Sequence, residues 1–149
     1  MIDGVRITPL RQIVDDRGKV MHMLRSDSEI FEQFGEIYFS CVNPGWVKAW
    51  VRRQVMTLNY AVPHGEIRLV LYDDRPGSPS AGQTSEVVMG PDNYCLASVP
   101  PMIWSGFLGL GAETSIVANC ATILHDPDEF DRVDPQQNDI PYAWPKNQY

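Results

Sequence analysis

Short apolar runs separated by Gly, Pro, Asn and Asp recur along the whole chain. Nine of them read as strands: Val20–Leu24, Ile37–Val42, Trp46–Val51, Met56–Val62, Glu66–Tyr72, Ser85–Met89, Tyr94–Val99, Ile103–Leu108 and Thr114–Asn119. All are rich in β-branched or aromatic residues, which suit a pleated, half-buried surface. Turn signals stand between them at Asp16-Arg17-Gly18, Asn43-Pro44-Gly45, Pro63-His64-Gly65, Gly90-Pro91-Asp92-Asn93 and Gly109–Gly111. A turn about every ten residues is the sandwich or barrel rhythm, and nothing in the chain alternates strand with helix. One short helix is expected over Ser28–Phe34, capped by Ser26, Asp27 or Ser28 and closed by Gly35. Arg75–Gly82 reads as a mobile Pro/Gly/Ser loop. Beyond Ile123 the chain turns acidic and Pro-rich, which predicts an irregular tail across the domain with at most a helical turn near Pro127–Phe130. No repeat or linker interrupts the pattern. The expectation is one all-β domain over residues 1–149, an antiparallel sandwich or barrel.

Length and composition agree with that picture. The 149 residues are 44% hydrophobic and 21% charged, an ordinary globular balance in a chain long enough to bury roughly two thirds of its unfolded surface. The net charge of −7 argues against nucleic acid as a partner. Its distribution is uneven: residues 1–75 carry ten basic and ten acidic side chains, whereas residues 76–149 carry only Arg132 and Lys146 against nine acids. An anion site should therefore draw on the first half. Three widely spaced cysteines, Cys41, Cys95 and Cys120, read as free thiols in a reducing compartment. The start lacks a signal-peptide pattern, and the uncharged run Asn93–Ala112 contains Pro100-Pro101 and three glycines, unsuited to a spanning helix. A cytoplasmic protein without a membrane partner is expected.

Candidate chemistry is sparse. His22, His64 and His125 are far apart in sequence, so no bound metal is expected. His64 and His125 sit in turns and read as solvated. His22 lies in Val20-Met21-His22-Met23-Leu24, where alternation puts it on a face with Val20 and Leu24. It is either a satisfied core residue or the best available general base. Lys48-Ala49-Trp50-Val51-Arg52-Arg53 gathers three cations in an apolar strand. Strict alternation places Lys48, Trp50 and Arg52 together with Arg53 opposite. That pattern is either a solvated edge strand or a clamp for phosphate or carboxylate, with Trp46, Trp50 and Trp104 as stacking surfaces. Gly106, Gly109 and Gly111 lack the context of a phosphate loop, and no nucleophile motif is present.

The order Asp16-Arg17-Gly18, Phe34-Gly35, Asn43-Pro44-Gly45, Lys48-Ala49-Trp50, Gly65, Asp74-Arg75-x-x-Ser78-Pro79, Asn93, Pro100, Gly106-Phe107, Asp134-Pro135 resembles the dTDP-4-dehydrorhamnose 3,5-epimerase family of the cupin superfamily. The likeness is greatest to its shorter branch with a Lys-Ala-Trp element. The resemblance implies a cupin-type jelly roll, a homodimer, no metal or other cofactor, and a nucleotide-linked 4-keto-6-deoxysugar as substrate. It also implies proton abstraction beside the ketone by a His supported by an Asp, with a Tyr as acid. Carried over by position, Arg17, Asn43 and Lys48 would bind the substrate, joined by Trp50, Arg52 and Trp104. Asp134 would be the supporting acid. The family's His falls on Val51, its Tyr on Ala118, and the His of its His-Gly-Phe on Ser105. The resemblance thus leaves three readings. The protein is an isomerase or epimerase with a relocated base, His22, and Tyr60 or Tyr38 as acid. Alternatively, it is a non-catalytic nucleotide-sugar-binding cupin, or an epimerase-like cupin adapted to another keto-containing substrate in natural-product synthesis.

Overall fold

The computed structural model describes residues 1–145. Two five-stranded antiparallel sheets face one another. The first has the order β1 (Arg6–Pro9), β9 (Cys95–Val99), β6 (Leu58–His64), β11 (Ser115–Ala121), β4 (Glu36–Val42). The second runs β12 (Phe130–Arg132), β5 (Val47–Arg53), β10 (Trp104–Leu110), β7 (Glu66–Tyr72), β8 (Thr84–Met89). A separate hairpin pairs β2 (Gln12–Asp15) with β3 (Gly18–Met21). The fold is the all-β cupin-type jelly roll that the strand rhythm and the resemblance anticipate.

The core between the sheets contains Val42, Val62, Ile67, Leu69, Leu71, Val99, Ile103, Phe107 and Val117, all buried. β7 runs between β10 and β8, and its Ile67, Leu69, Val70 and Leu71 are fully buried. Such burial on both faces explains why Leu69-Val70-Leu71 is a continuous apolar run rather than an alternation, which Glu66-Ile67-Arg68 before it still follows. Each sheet is also covered on its outer face. Leu10, Met21, Met23, Leu24 and Ile30 pack over Ala61, Tyr94 and Leu96 of the first. Val133, Ile140, Tyr142 and Trp144 pack over Val47, Trp50 and Leu108 of the second. The acidic tail is thus a strap, with one 3₁₀ turn at Pro127–Glu129 where a helical turn was expected; residues 146–149 lie outside the described part.

Three expectations need correction. No helix forms over Ser28–Phe34; successive turns stand there instead, closed by Ser28 N–H to Arg25 C=O and Phe31 N–H to Ser28 C=O. A seven-residue helix is marginal without an apolar face to bury, and Phe34 is 64% exposed. The 75–82 loop is tied down rather than loose: the fully buried Asp73 carboxylate accepts hydrogen bonds from Arg75, Ser78 Oγ and Ser80 Oγ, and Ser80 Oγ accepts one from the Asp3 N–H. Finally, His22 follows a hairpin whose Val20 is 58% exposed, so it does not face the sandwich interior.

Candidate functional site

At the edge where β4 stands across from β5 and β12, the sheets part and leave a cleft of about 810 Å³. β4 contributes Glu36, Tyr38 and Ser40 to one wall, with Tyr60 of β6 behind them. The other wall carries Lys48, Val51 and Arg53 of β5 and Ser105 and Phe107 of β10. His125, Arg132 and Asp134, from the strap and β12, complete the lining.

A β-bulge decides which cations enter. Ser105 pairs with Val51, but Phe107 pairs with Lys48, so Ala49 and Trp50 together oppose Gly106. The extra residue shifts the alternation by one. Lys48, Val51 and Arg53 turn inward; Trp50 and Arg52 turn to the outer face, correcting the grouping expected from strict alternation. Only Gly fits at 106, because a Cβ there would collide with Ala49 and lie 3.0 Å from the Trp144 ring.

Inside the cleft, the Lys48 ammonium donates to Ser40 Oγ at 3.0 Å, across from one sheet to the other. Arg53 is nearly buried and pairs with Glu129 at 3.2 Å. Glu129 also accepts from the backbone N–H groups of Gln54, Val55 and Met56, so a single carboxylate fixes the arginine and the chain that follows it. The Phe130 ring is the hub of the rim: the guanidinium groups of Arg53 and Arg132 lie 4.6 and 4.8 Å from its centroid, and the His125 ring lies 5.6 Å away. Tyr38 and Tyr60 flank Asn119 of β11 in register, on one face of the first sheet. The Asn119 amide donates to the Tyr38 hydroxyl at 2.9 Å. Burial pushes the Tyr60 hydroxyl well above the usual phenol range, reinforced by Tyr38 and opposed by Arg53 and Ser105. Such a group stays protonated at neutral pH, and the same burial makes it a weaker acid than a free phenol. Among the described residues, no three His, Cys or carboxylate side chains gather as a metal would require.

The structure brings together only part of the predicted set. Lys48, Tyr60 and Asp134 line the cleft; Asp134 Oδ1 accepts from the N–H groups of Gln136 and Gln137. Trp50 borders the cleft, but its indole is fully buried among Tyr142 and Trp144, 6.0 and 5.2 Å away, and offers no stacking surface. Arg52 lies outside, held by Asp131 at 2.8 Å and Asp74 at 3.0 Å. Burial works against its charge, and the two carboxylates outweigh that and raise its pKa. Trp104 lies under the Arg52 guanidinium and donates to Asp74. The expected clamp is thus already filled by the protein's own acids. Asn43 shapes the β4–β5 turn and accepts from Thr114 Oγ1 at 2.8 Å. Arg17 pairs with Asp15 on the hairpin turn, 90% exposed and away from this cleft. His22 borders a separate shallow groove beside Arg11 and Arg25. Ala118 faces away from Asn119 by strand alternation, so a side chain there would not enter the cleft. Val51 does face it, without a titratable group.

Three of these residues carry little local signal: Arg132 is one charge in an acidic tail, His125 sits in a turn, and strict alternation puts Arg53 opposite Lys48. The signal available was Arg132 itself, one of two cations in the acidic half.

No protein-family model matches the chain. It is 35% identical over 143 residues, covering 95% of this chain and 88% of the relative, to a probable low-salt glycan biosynthesis epimerase of Haloferax volcanii. A dTDP sugar isomerase from Desulfovibrio desulfuricans superposes with a TM-score of 0.93 at 47% identity, over 96% of this chain and 92% of that one. A dTDP-4-dehydrorhamnose 3,5-epimerase from Elizabethkingia anophelis shares the fold, with a TM-score of 0.81 at 16% identity over 97% and 84% of the two chains.

Proposed function

The chain belongs to the dTDP-4-dehydrorhamnose 3,5-epimerase family, and on that premise we propose that it is an enzyme that epimerises or isomerises a nucleotide-linked 4-keto-6-deoxysugar by moving a proton beside the ketone. The observation that carries this reading is the cleft, whose walls set Lys48, Arg53 and Arg132 against Tyr38 and Tyr60. In a protein with a net charge of −7, Lys48 and Arg132, neither in an ion pair among the described residues, favour an anion in this cavity beside the Glu129-paired Arg53. Abstraction of a proton next to a carbonyl develops negative charge on the carbonyl oxygen. Cations fixed beforehand stabilise that charge without reorganising. Arg53 is fixed in this sense by Glu129, whereas Lys48, held only by the Ser40 hydroxyl, and Arg132, stacked on Phe130, have no carboxylate partner among the described residues and can meet a diphosphate. Tyr60, kept protonated by burial, is the proton donor in this reading, and Asp134 supports the rim of the site.

The partner is a second copy of the chain. β4 is an unpaired sheet edge, and its Ile37 and Phe39 are 51% and 63% exposed. Long exposed apolar edges invite strand pairing or cover. Arg17 keeps a substrate-binding role only through such a partner, since within one chain it lies outside the cleft.

The test is solvent-deuterium incorporation into dTDP-4-keto-6-deoxyglucose, followed by NMR. Exchange beside the ketone is expected with the wild-type protein, and Lys48→Ala and Arg132→Ala should each weaken substrate binding by about tenfold, one charge-assisted contact's worth. A specific observation favours a second reading: Val51, where the resemblance puts the family's His, faces the cleft without a titratable group. Tight binding of dTDP without exchange of the sugar would make the protein a nucleotide-sugar-binding cupin.

A further inference from the structure

We propose that His125 is the base that takes the proton from the carbon beside the ketone, an assignment that rests on the epimerase reading above. The three histidines have different surroundings. His64 pairs with Glu113 at 3.2 Å, and His22 borders the shallow groove by Arg11. His125 alone of the three lines the cleft.

Its placement suits the task. The His125 backbone N–H donates to Glu36 Oε1 of β4 at 3.1 Å, which ties the start of the strap to one wall. The imidazole leans on Phe130 with the rings inclined at 40°. The backbone and one ring face are thus held, while neither ring nitrogen has a hydrogen-bond partner among the described residues. An imidazole nitrogen with no partner offers a lone pair to an incoming C–H. The same Phe130 ring carries Arg53 and Arg132, so the base and the cations that would hold the enolate oxygen meet around one side chain.

The other titratable groups of the cleft are otherwise engaged. Asp134 Oδ1 receives two backbone N–H groups of its own turn, and Glu36 holds the His125 backbone. The Tyr38 hydroxyl already accepts from Asn119, and Tyr60 is held in its protonated form. Lys48 and the arginines carry no lone pair at neutral pH. Glu36 and Asp134 keep a second carboxylate oxygen, but an imidazole is intrinsically the stronger base, and His125 supplies the one in the cleft.

The step balances without another reactant. A neutral imidazole nitrogen takes the proton as the C–H bond breaks, and that electron pair forms the enolate double bond while the carbonyl pair moves onto oxygen. The Tyr60 O–H then returns a proton to carbon. The imidazolium gives its proton back to the tyrosinate through solvent, and the enzyme is reset.

The test is deuterium exchange into dTDP-4-keto-6-deoxyglucose by His125→Asn and His125→Ala, with His64→Asn as a control and dTDP affinity measured for each by titration. Loss of a general base predicts at least about 100-fold slower exchange, with dTDP affinity kept within about threefold. Added imidazole should partly restore exchange in His125→Ala, which a purely structural role would not allow. Three results overturn the assignment: exchange by His125→Asn within about threefold of wild type, loss of dTDP affinity in step with exchange, or no rescue by imidazole. In each of these the epimerase reading survives. If the wild-type protein itself shows no exchange, the epimerase reading and the base fall together.

Discussion

Two buried carboxylates do structural work that no local motif announces. Glu129 neutralises Arg53 and caps three N–H groups, yet its partners lie some seventy residues away, so in sequence it is one acid among many in an acidic tail. Asp73 is more legible, because Arg75, Ser78 and Ser80 follow it closely. The Arg75 guanidinium, helped by the two serine hydroxyls, holds the Asp73 carboxyl far below the usual carboxylate range against the opposing effect of burial. A depressed folded-state pKa contributes stability that is fully present above the unfolded value of about 3.9 and is lost as pH falls through the folded value. Asp73→Asn should therefore cost about 3 kcal/mol at pH 7, as removing one member of a buried ion pair does. The gap from wild type should hold constant down to about pH 4.5 and narrow below it. Urea unfolding of both proteins between pH 7 and pH 3 measures this. A gap that widens towards acid would mean that Asp73 is not ionised in the folded state.

At the scale of elements, apolar β-rich runs made nine strands readable from sequence; eight form near the expected bounds, whereas of Val20–Leu24 only Val20 and Met21 lie in a strand, β3. β1, β2 and β12 were missed because runs of three or four residues containing Arg, Gln or Asp carry no visible alternation. The Ser28–Phe34 helix had a cap and a stop but nothing to pack an apolar face against. The site was less legible still. One bulge in the β5–β10 pairing moved Trp50 and Arg52 from the expected clamp to the outer face, and a bulge leaves no mark in the strand's own sequence. The strap, expected only as irregular chain, proves to be the cover of that outer face. Trp144, 5% exposed, lies 5.2 Å from Trp50 and 4.8 Å from Tyr142. Trp144→Ala should lower stability by about 3–5 kcal/mol, the usual cost of truncating a buried Trp. It should also open Trp50, now fully buried, to acrylamide quenching. Unchanged stability and quenching would mean that the strap is not held by this side chain.

At the scale of the molecule, both outer faces are covered by the chain's own segments, but the β4 edge is not. Its two sides have opposite characters. Glu36, Tyr38 and Ser40 face the cleft, while Ile37, Phe39 and Cys41 face outward and are exposed. Phe34, just before it in the chain, adds apolar surface at 64% exposure. Covering that edge with a second copy would remove this surface from water and stiffen the strand that carries Tyr38 and anchors His125. The prediction is a dimer of the 16.8 kDa chain by light scattering. Phe39→Asp should convert it to a monomer, since burying an unpaired carboxylate in an apolar contact costs several kcal/mol. Phe39 points away from the cleft, so weaker dTDP binding in the monomeric variant would locate part of the binding site on the partner. Arg17→Ala then gives the decisive comparison. An equal loss of affinity in the wild-type dimer would place Arg17 in the neighbouring cleft, whereas no loss would leave Lys48, Arg53 and Arg132 as the whole of the anion site.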